Sequence, residues 1–450
     1  MSGPPSLSAT PTLEQLRKEA EALASQERKL ADARLVLARV YRFPSWPRLR
    51  DYAKRLDASG PGLQHPYRED IDYYEGRAAG LLASAQDGTE SALIAFRRWD
   101  DAPLTLQGAR AVVAREHGFS SWAAMRRHVG SLSERGEPFA RAYRALEAHD
   151  VDGLHEQLER FPDLVALKGT NGNDLLGMAT ATCDERLVAL LLEHGADPAR
   201  ANAHGWTPLH QAGYSGLAPL AALLLEAGAP ANASARGDGG TPLIVALFWG
   251  HREAAELLAE HGIHPRNLRT AAGLGRLDLI DELVTADGRV GPEAGAHRAF
   301  YRPHSGFPAW RASDDGQEVL DEALSWAARN DRVEALDALV ERGANVDADV
   351  YRGTALTWAA ACGRTGTIKR LVVLGADPSR RGTFGGPEHG DGTTALHHAA
   401  ESGQIDAIRA LLDAGADPTA RDALYDATPA DWAEHSGRED AAGLIREGEP

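Results

Sequence analysis

The sequence predicts an all-α solenoid of helix-turn-helix repeats, preceded by a small helical N-terminal region. A first phrase, Gly-Ala-Asp-Pro, begins at Gly195, Gly375 and Gly415, and related phrases begin at Gly228 and Gly343. Gly195 and Gly228 are 33 residues apart, a period typical of stacked helical repeats. Aromatic residues make up only 6% of the chain, whereas Ala, Leu and Gly recur throughout. This balance suits thin helices packed through small side chains better than a thick β core.

A second phrase keeps step with the first and predicts where helices begin. Versions of Thr-Pro-Leu-His occur at residues 207–210, 241–243, 354–356, 394–397 and 428–429. Proline fits the first turn of a helix, where its missing N–H is not needed for hydrogen bonding. Each unit is therefore predicted to form a short helix, a glycine turn, a second helix and a Gly-Ala-Asp stop. Because one unit cannot bury its apolar face alone, the units are expected to stack.

The two phrases together resemble the repeat of the ankyrin family, in which Gly-x-Thr-Pro-Leu-His-x-Ala-Ala precedes a Leu-rich helix and Gly-Ala-Asp. Residues 205–229 and 392–417 match this pattern best, and the resemblance covers roughly residues 139–447. It implies an ankyrin-repeat solenoid with hairpin fingers, whose first helices line a concave face. It also implies a structural role for His210 and His397, because the family uses this ring to bond hairpin backbone.

The N-terminal region, residues 1–135, contains a different repeat with an offset of 76 residues. Phe43 and Trp46 in the first copy correspond to Phe119 and Trp122 in the second. Each copy is predicted to form two helices joined by a turn, with its Phe and Trp packed between them. Similar helical modules precede ankyrin arrays in many bacterial proteins, so the resemblance extends to a bacterial protein of that kind.

Composition and charge argue against several classes of function. The formal net charge is -17, from 65 acidic and 48 basic residues, so nucleic acid is not an expected partner. Cys183 and Cys362 have no Cys-x-x-Cys spacing, which argues against a disulfide framework and a zinc-thiolate site. We find no secretory signal pattern and no apolar run of the ~18 residues that a membrane helix needs. A cytoplasmic location without membrane contact is therefore expected.

An aromatic groove is predicted on the concave face. In the ankyrin arrangement, the residue after the Thr-Pro-Leu-His histidine faces this groove, and three of the nine tryptophans fall on that position. The predicted ligand-binding residues of the groove are Tyr214, Phe248, Trp249, Trp326, Trp358, His398 and Trp432. Such an apolar cleft can hold a small molecule or anchor a protein partner. The alternative is that neighbouring helices cover these side chains.

Two insertions break the period, at residues 286–318 and 383–392. Insertions in a solenoid map to loops on one face, often the binding face, so both fingers are expected to flank the groove. The first insertion supplies Phe300 and Trp310 as further ligand-binding candidates, and the second supplies Phe384. The alternative is that the long finger packs its aromatic side chains on the edge of the solenoid.

The sequence leaves three functional hypotheses open. The first is a protein-interaction scaffold, the commonest use of ankyrin arrays and the one that the fold favours. The second is a protein that binds an apolar small molecule in the groove. The third is a cofactor-free acid/base enzyme that catalyses a dehydration, conjugate addition, isomerisation or cyclisation. Its candidate catalytic residues are His304, Tyr301 and His389 for proton transfer and Arg302 for charge stabilisation. The sequence has no nucleotide-binding, metal-ligating or nucleophile motif, so neither a cofactor nor a metal is expected.

Overall fold

The computed structural model describes residues 12–24, 30–41, 43, 45–47, 49–50, 53–54, 70–99, 102–132, 138–169, 172–235, 239–262, 265–298, 312–351, 353–382 and 392–448. Within these ranges the chain is helical, and its only extended pairings are isolated bridges, which confirms the predicted all-α class. The chain divides into two compact units, one of residues 1–212 and 219–230 and the other of residues 213–218 and 231–450. No described helix is both long and apolar enough to cross a membrane.

The described helices, numbered in chain order, fall into an N-terminal group and a series of pairs. The N-terminal group is α1 (Leu13–Leu23), α2 (Leu30–Val40), α3 (Ile71–Gln86), α4 (Glu90–Arg98), α5 (Leu106–Glu116) and α6 (Trp122–Leu132). The pairs are α7 (Pro138–Glu147) with α8 (Val151–Arg160), α9 (Leu175–Ala181) with α10 (Glu185–Glu193), α11 (Pro208–Tyr214) with α12 (Ala218–Glu226), α13 (Pro242–Phe248) with α14 (Arg252–His261), α15 (Leu268–Leu274) with α16 (Leu277–Leu283), α17 (Gly316–Arg329) with α18 (Val333–Glu341), α19 (Ala355–Ala361) with α20 (Thr365–Val373), α21 (Ala395–Glu401) with α22 (Ile405–Asp413) and α23 (Pro429–His435) with α24 (Glu439–Glu447). We call the first helix of each pair inner and the second outer.

The two copies in the N-terminal region have equivalent side-chain contacts. The Arg34 guanidinium lies 5.4 Å from the centre of the Trp46 ring, and Arg110 lies 5.9 Å from that of Trp122. Both pairs are related by the 76-residue offset, and each is a cation–π arrangement. Equivalent apolar positions are also buried in both copies, namely Ala33 and Ala109, Ala38 and Ala114, and Leu49 and Met125.

The Thr-Pro-Leu-His phrases begin inner helices because their threonine caps the first turn and their proline fits within it. The Thr241 hydroxyl accepts the N–H of Ile244, and the Thr354 hydroxyl accepts that of Thr357. Each threonine thus satisfies one of the backbone donors that a helix leaves unpaired at its start. Pro242 occupies the first turn of its helix, where an N–H is not needed.

Successive pairs stack in two layers within the second unit. The inner helices α15, α17, α19, α21 and α23 pack each against the next, and the outer helices α16, α18, α20, α22 and α24 do the same. One core of buried Ala, Leu, Ile and Val side chains runs between the layers, from Leu268 to Ile445. Stacking in register is what buries the apolar face of each pair.

The inner helix α17 differs from its neighbours in length. It has 14 residues, whereas α15, α19, α21 and α23 have 7 each. Its N-cap is Asp315, whose carboxylate accepts the N–H of Gln317, so the helix includes residues 316–318 of the predicted first insertion. At the second insertion, a bridge between Gly382 and Thr393 joins the two ends of the segment.

Candidate functional site

Several predicted site residues lie outside the described residues. They are His304, Tyr301, His389, Arg302, Phe300, Trp310 and Phe384. Their roles in proton transfer, charge stabilisation and ligand binding therefore stay predictions. The other predicted residues lie on described helices or directly next to them, and two groups of contacts connect them.

The first group is a cluster of aromatic rings that is largely closed to water. Trp326 on α17 is 0% exposed, Trp358 on α19 is 1% exposed and Phe248, at the end of α13, is 5% exposed. The Phe248 ring centre lies 5.4 Å from that of Trp358 and 6.2 Å from that of Trp326. Of the two arrangements considered for these rings, burial by neighbouring parts of the chain is the one observed. Whether they contact a ligand stays a prediction.

Arg329 on α17 fills the space between the rings. Its guanidinium carbon lies 3.7 Å from the ring centre of Trp358, 4.9 Å from that of Phe248 and 5.5 Å from that of Trp326. Its Nη1 donates to the Phe248 carbonyl at 2.9 Å, and its Nε donates to the Ser325 carbonyl at 3.2 Å. A planar guanidinium can stack on rings and hydrogen-bond in its own plane at the same time. Arg329 therefore joins three aromatic side chains from three inner helices.

A buried ion network adjoins the aromatic cluster. Glu322 on α17 is 1% exposed, and its Oε1 accepts from Nη1 of Arg269 on α15 at 3.0 Å. Its Oε2 accepts from Nη1 of Arg298, which lies in the first insertion. The Arg269 guanidinium also lies 4.7 Å from the ring centre of Trp326. Two buried cations thus share one buried carboxylate, and the loss of this carboxylate would leave uncompensated charge in the interior.

The edge of the aromatic cluster is open to solvent. Tyr214 ends α11, and Trp249 follows α13; both are only half-buried. Their ring centres are 5.3 Å apart in an edge-to-face arrangement, and the Trp249 ring lies 5.0 Å from that of Phe248. These two side chains therefore form a partly exposed aromatic pair that is backed by buried rings.

The second group surrounds His398 on α21. His398 is 1% exposed; its Nε2 is 2.9 Å from the Thr393 hydroxyl, and its Nδ1 is 3.6 Å from a carboxylate oxygen of Glu401. Its ring centre lies 5.5 Å from that of Trp432, which is half-buried and donates its indole N–H to Asp422 at 3.0 Å. His398 is thus held by neighbours on its own and the next repeat.

The histidine that precedes His398 has the structural role implied by the resemblance. His397 Nδ1 accepts the backbone N–H of Thr394 at 3.1 Å, so its Nε2 carries the proton and donates to the Ala427 carbonyl at 3.2 Å. Burial lowers the pKa of His397 to about 4. The ring therefore stays neutral at pH 7 and links two successive repeats.

The cysteine nearest the aromatic cluster is not an activated thiol. The Cys362 sulfur lies 3.8 Å from the Trp249 carbonyl oxygen. Burial raises the pKa of the Cys362 thiol, so the thiol is protonated at neutral pH. A cysteine nucleophile at this position is therefore not supported.

Sequence reasoning did not identify Arg269 and Glu322 as site residues, although each stands at a recognisable position of the repeat pattern. Arg269 lies six residues before the left-handed Gly275, where other repeats carry the histidine of Thr-Pro-Leu-His. Glu322 lies nine residues before the left-handed Asp331, where the phrase has its threonine. A charged side chain at either of these buried positions differs from the Thr-Pro-Leu-His phrase and can be recognised in the sequence.

Comparison with family models matches most of the repeat region. A model described as Ankyrin repeats (3 copies) matches residues 176–269 and 268–382. A second model, described as Ankyrin repeat, matches residues 391–423. Together the matches span just over half of the chain.

Among curated proteins, human Rabankyrin-5 is similar to part of this chain. It is 29% identical over 149 residues, which are 32% of this chain and 13% of Rabankyrin-5. The aligned segment therefore spans a small fraction of that relative.

Proposed function

The chain belongs to the ankyrin-repeat family, and from this membership we propose that it binds a protein partner on the face lined by its inner helices. Ankyrin repeats imply a protein-binding role. The finer proposal is that the half-buried pair Tyr214 and Trp249 anchors the partner, with Phe248 and the other buried rings behind it.

The proposal rests on the contacts that hold the half-buried Tyr214 and Trp249 rings in place. Trp and Tyr are enriched among the few residues that dominate binding energy at interfaces, especially where their neighbours hold them in one conformation. Trp249 rests edge-on against Phe248, and Phe248 is in turn fixed by the guanidinium of Arg329. Because Trp249 is already held in one conformation, it loses little conformational freedom when a partner covers it.

Native mass spectrometry of the protein purified gently from its host cells tests this surface. Trp249→Ala is compared with wild type and with Val373→Ala, whose side chain is 72% exposed at the end of outer helix α20. We expect a stoichiometric protein partner on wild type and on Val373→Ala. Its affinity for Trp249→Ala should fall by roughly 30-fold, because a hot-spot residue contributes about 2 kcal/mol or more.

Other outcomes of the same measurement contradict the proposal in different ways. A partner retained equally by all three proteins means that the aromatic pair is not the docking surface. A bound apolar small molecule without any protein partner means that the inner face holds a ligand instead. Circular dichroism of each variant checks that the lost binding is not lost folding.

A second candidate function is cofactor-free acid/base catalysis on an apolar small molecule, at a site between the groove and the two insertions. It is supported by the buried Arg269–Glu322–Arg298 network, which fixes Arg298 of the first insertion against the inner helices α15 and α17. In this proposal His304, Tyr301 and His389 exchange protons and Arg302 stabilises an anionic oxygen. A substrate-like species that accumulates on His304→Ala but not on wild type supports it; identical spectra of the two proteins contradict it.

A further inference from the structure

Two histidines and a glutamate converge on the outer helices of the first unit. His155 and Glu159 are four residues apart on α8, so both side chains lie on one face of that helix. His194 follows α10, the outer helix of the next pair, and α8 packs against α10. The three ligand atoms lie within 4.8 Å of one another.

We propose that His155, Glu159 and His194 form a binding site for a divalent transition-metal ion, Zn²⁺ in particular. His155 Nδ1 and His194 Nε2 are 3.2 Å apart. Two nitrogens that bind one Zn²⁺ tetrahedrally, each at about 2.0–2.1 Å, lie about 3.3 Å apart. The two rings are thus already at the separation that a shared metal ion requires.

The third ligand needs only a small movement. Glu159 Oε1 lies 3.9 Å from His194 Nε2, and the Glu159 side chain is 64% exposed and can therefore rotate. Two imidazoles and one carboxylate suit zinc and leave a fourth position for water. The C-terminal end of α10, which His194 caps, carries a partial negative charge that also favours a cation.

The proposed ion crosslinks two successive repeats. Its ligands come from α8 and α10, so the bound metal holds these outer helices together in the folded chain only. Zinc is thus expected to raise the thermal stability of the protein. The site is on the outer helices and does not depend on the partner-binding role proposed above.

Metal titration of the chelator-treated full-length protein tests the site. We expect wild type to bind about one equivalent of Zn²⁺, with a melting temperature that rises on addition of ZnCl₂. His155→Ala and His194→Ala should each weaken this binding by at least roughly tenfold, since even indirect ligand contacts contribute 10–100-fold. Co²⁺ absorption provides a second readout, because a nitrogen- and oxygen-bound tetrahedral ion absorbs visible light strongly.

His261→Ala is the matched control. His261 also lies at the end of an outer helix and is exposed, but its Nδ1 contacts the Leu257 carbonyl at 2.8 Å. This variant should bind zinc as wild type does. Affinities that are the same in His155→Ala, His194→Ala and wild type overturn the proposal, and so does a wild-type protein that binds no zinc. The pair is then a histidine–histidine hydrogen bond only.

Discussion

At the scale of single residues, the carboxylate of Glu322 separates two buried guanidinium groups. Replacing it with glutamine leaves Arg269 and Arg298 buried without their shared anion. We expect Glu322→Gln to lower the free energy of unfolding by about 3–5 kcal/mol, the usual effect of removing one partner from a buried ion pair. Urea titration followed by circular dichroism measures this change.

Glu318, one turn earlier on the same helix, provides the control for this prediction. Its Oε1 is 3.8 Å from the same Arg298, but its side chain is 25% exposed. Glu318→Gln should therefore change the free energy of unfolding by less than about 1 kcal/mol. Equal effects of the two substitutions contradict the idea that burial decides the contribution of each carboxylate.

The two buried tryptophans, Trp326 and Trp358, show which features of the site could be predicted from the sequence. The register of the repeats identified Trp326 and Trp358 as equivalent positions on the inner helices. It left open whether they face a groove or are covered by neighbouring helices. It also did not identify Arg329, which occupies the same repeat position as Tyr214 and Phe248 and stacks on both indole rings. Hydrophobic periodicity has no signal for an arginine that stacks inside a cluster of rings.

At the scale of elements, the repeats contain two kinds of glycine turn. Gly250, between α13 and α14, has a φ of 72°, and a Cβ at this position would lie 2.5 Å from the Arg329 carbonyl oxygen. Gly375, after the outer helix α20, has a φ of 99°, and a Cβ there would meet nothing within 4 Å. At Gly250, glycine is needed both for the positive φ and because the Arg329 backbone lies too close for a Cβ. At Gly375, it is needed only for the positive φ.

Alanine substitution separates these two requirements. Gly375→Ala should lower the free energy of unfolding by about 1–2 kcal/mol, the cost of a left-handed conformation with a Cβ. Gly250→Ala should lower it by about 3 kcal/mol or more, because the added overlap costs a further 1–3 kcal/mol. Denaturant titrations of both variants measure the difference; a larger effect at Gly375 contradicts the close-approach argument.

Helix starts were predictable wherever the threonine phrase is present, because its hydroxyl caps the first turn. The start of α17 was not predicted, since Glu322 replaces that threonine and the chain has no stop signal at this point. Helical structure therefore continues back to the next capping side chain, Asp315. The absence of this threonine can be recognised in the sequence only when the position of the left-handed turn at Asp331 is known.

At the scale of the whole molecule, buried neutral histidines make stability depend on pH. Burial lowers the pKa of His397 from 6.5 to about 4, so between these values the unfolded chain takes up a proton that the folded chain does not. The contribution of neutral His397 to the free energy of unfolding is fully present above pH 6.5 and is lost as the pH falls towards 4. From about pH 7.5 to about pH 5, His397 alone should reduce the free energy of unfolding by about 2 kcal/mol.

Urea titrations at several pH values test this dependence. His397→Gln should flatten the decrease between about pH 6.5 and about pH 5. His435→Gln, at an exposed position that ends α23, should leave the decrease unchanged. The same pH slope in wild type and His397→Gln means that other groups dominate acid destabilisation.

The fold as a whole followed from the sequence because it is repeated, so each pair of helices supplied independent support for the same prediction. The candidate site did not follow to the same degree. Its charged residues occur once each in the repeat pattern. The same holds for the separate metal site proposed above, where His194 lies against His155 only because two successive repeats stack. Contacts that form between repeats have no counterpart in the pattern within one repeat.

The burial of Trp326 and Trp358 gives the protein an internal optical probe. Both indoles are shielded from water and lie against a permanent cation, so their fluorescence differs from that of solvent-exposed tryptophan and changes when the inner helices separate. Circular dichroism, in contrast, reports on all helices at once. A fluorescence transition that precedes the loss of ellipticity, and that is absent when Trp326 and Trp358 are replaced by phenylalanine, would show that the repeats around Arg329 open before the rest of the chain unfolds.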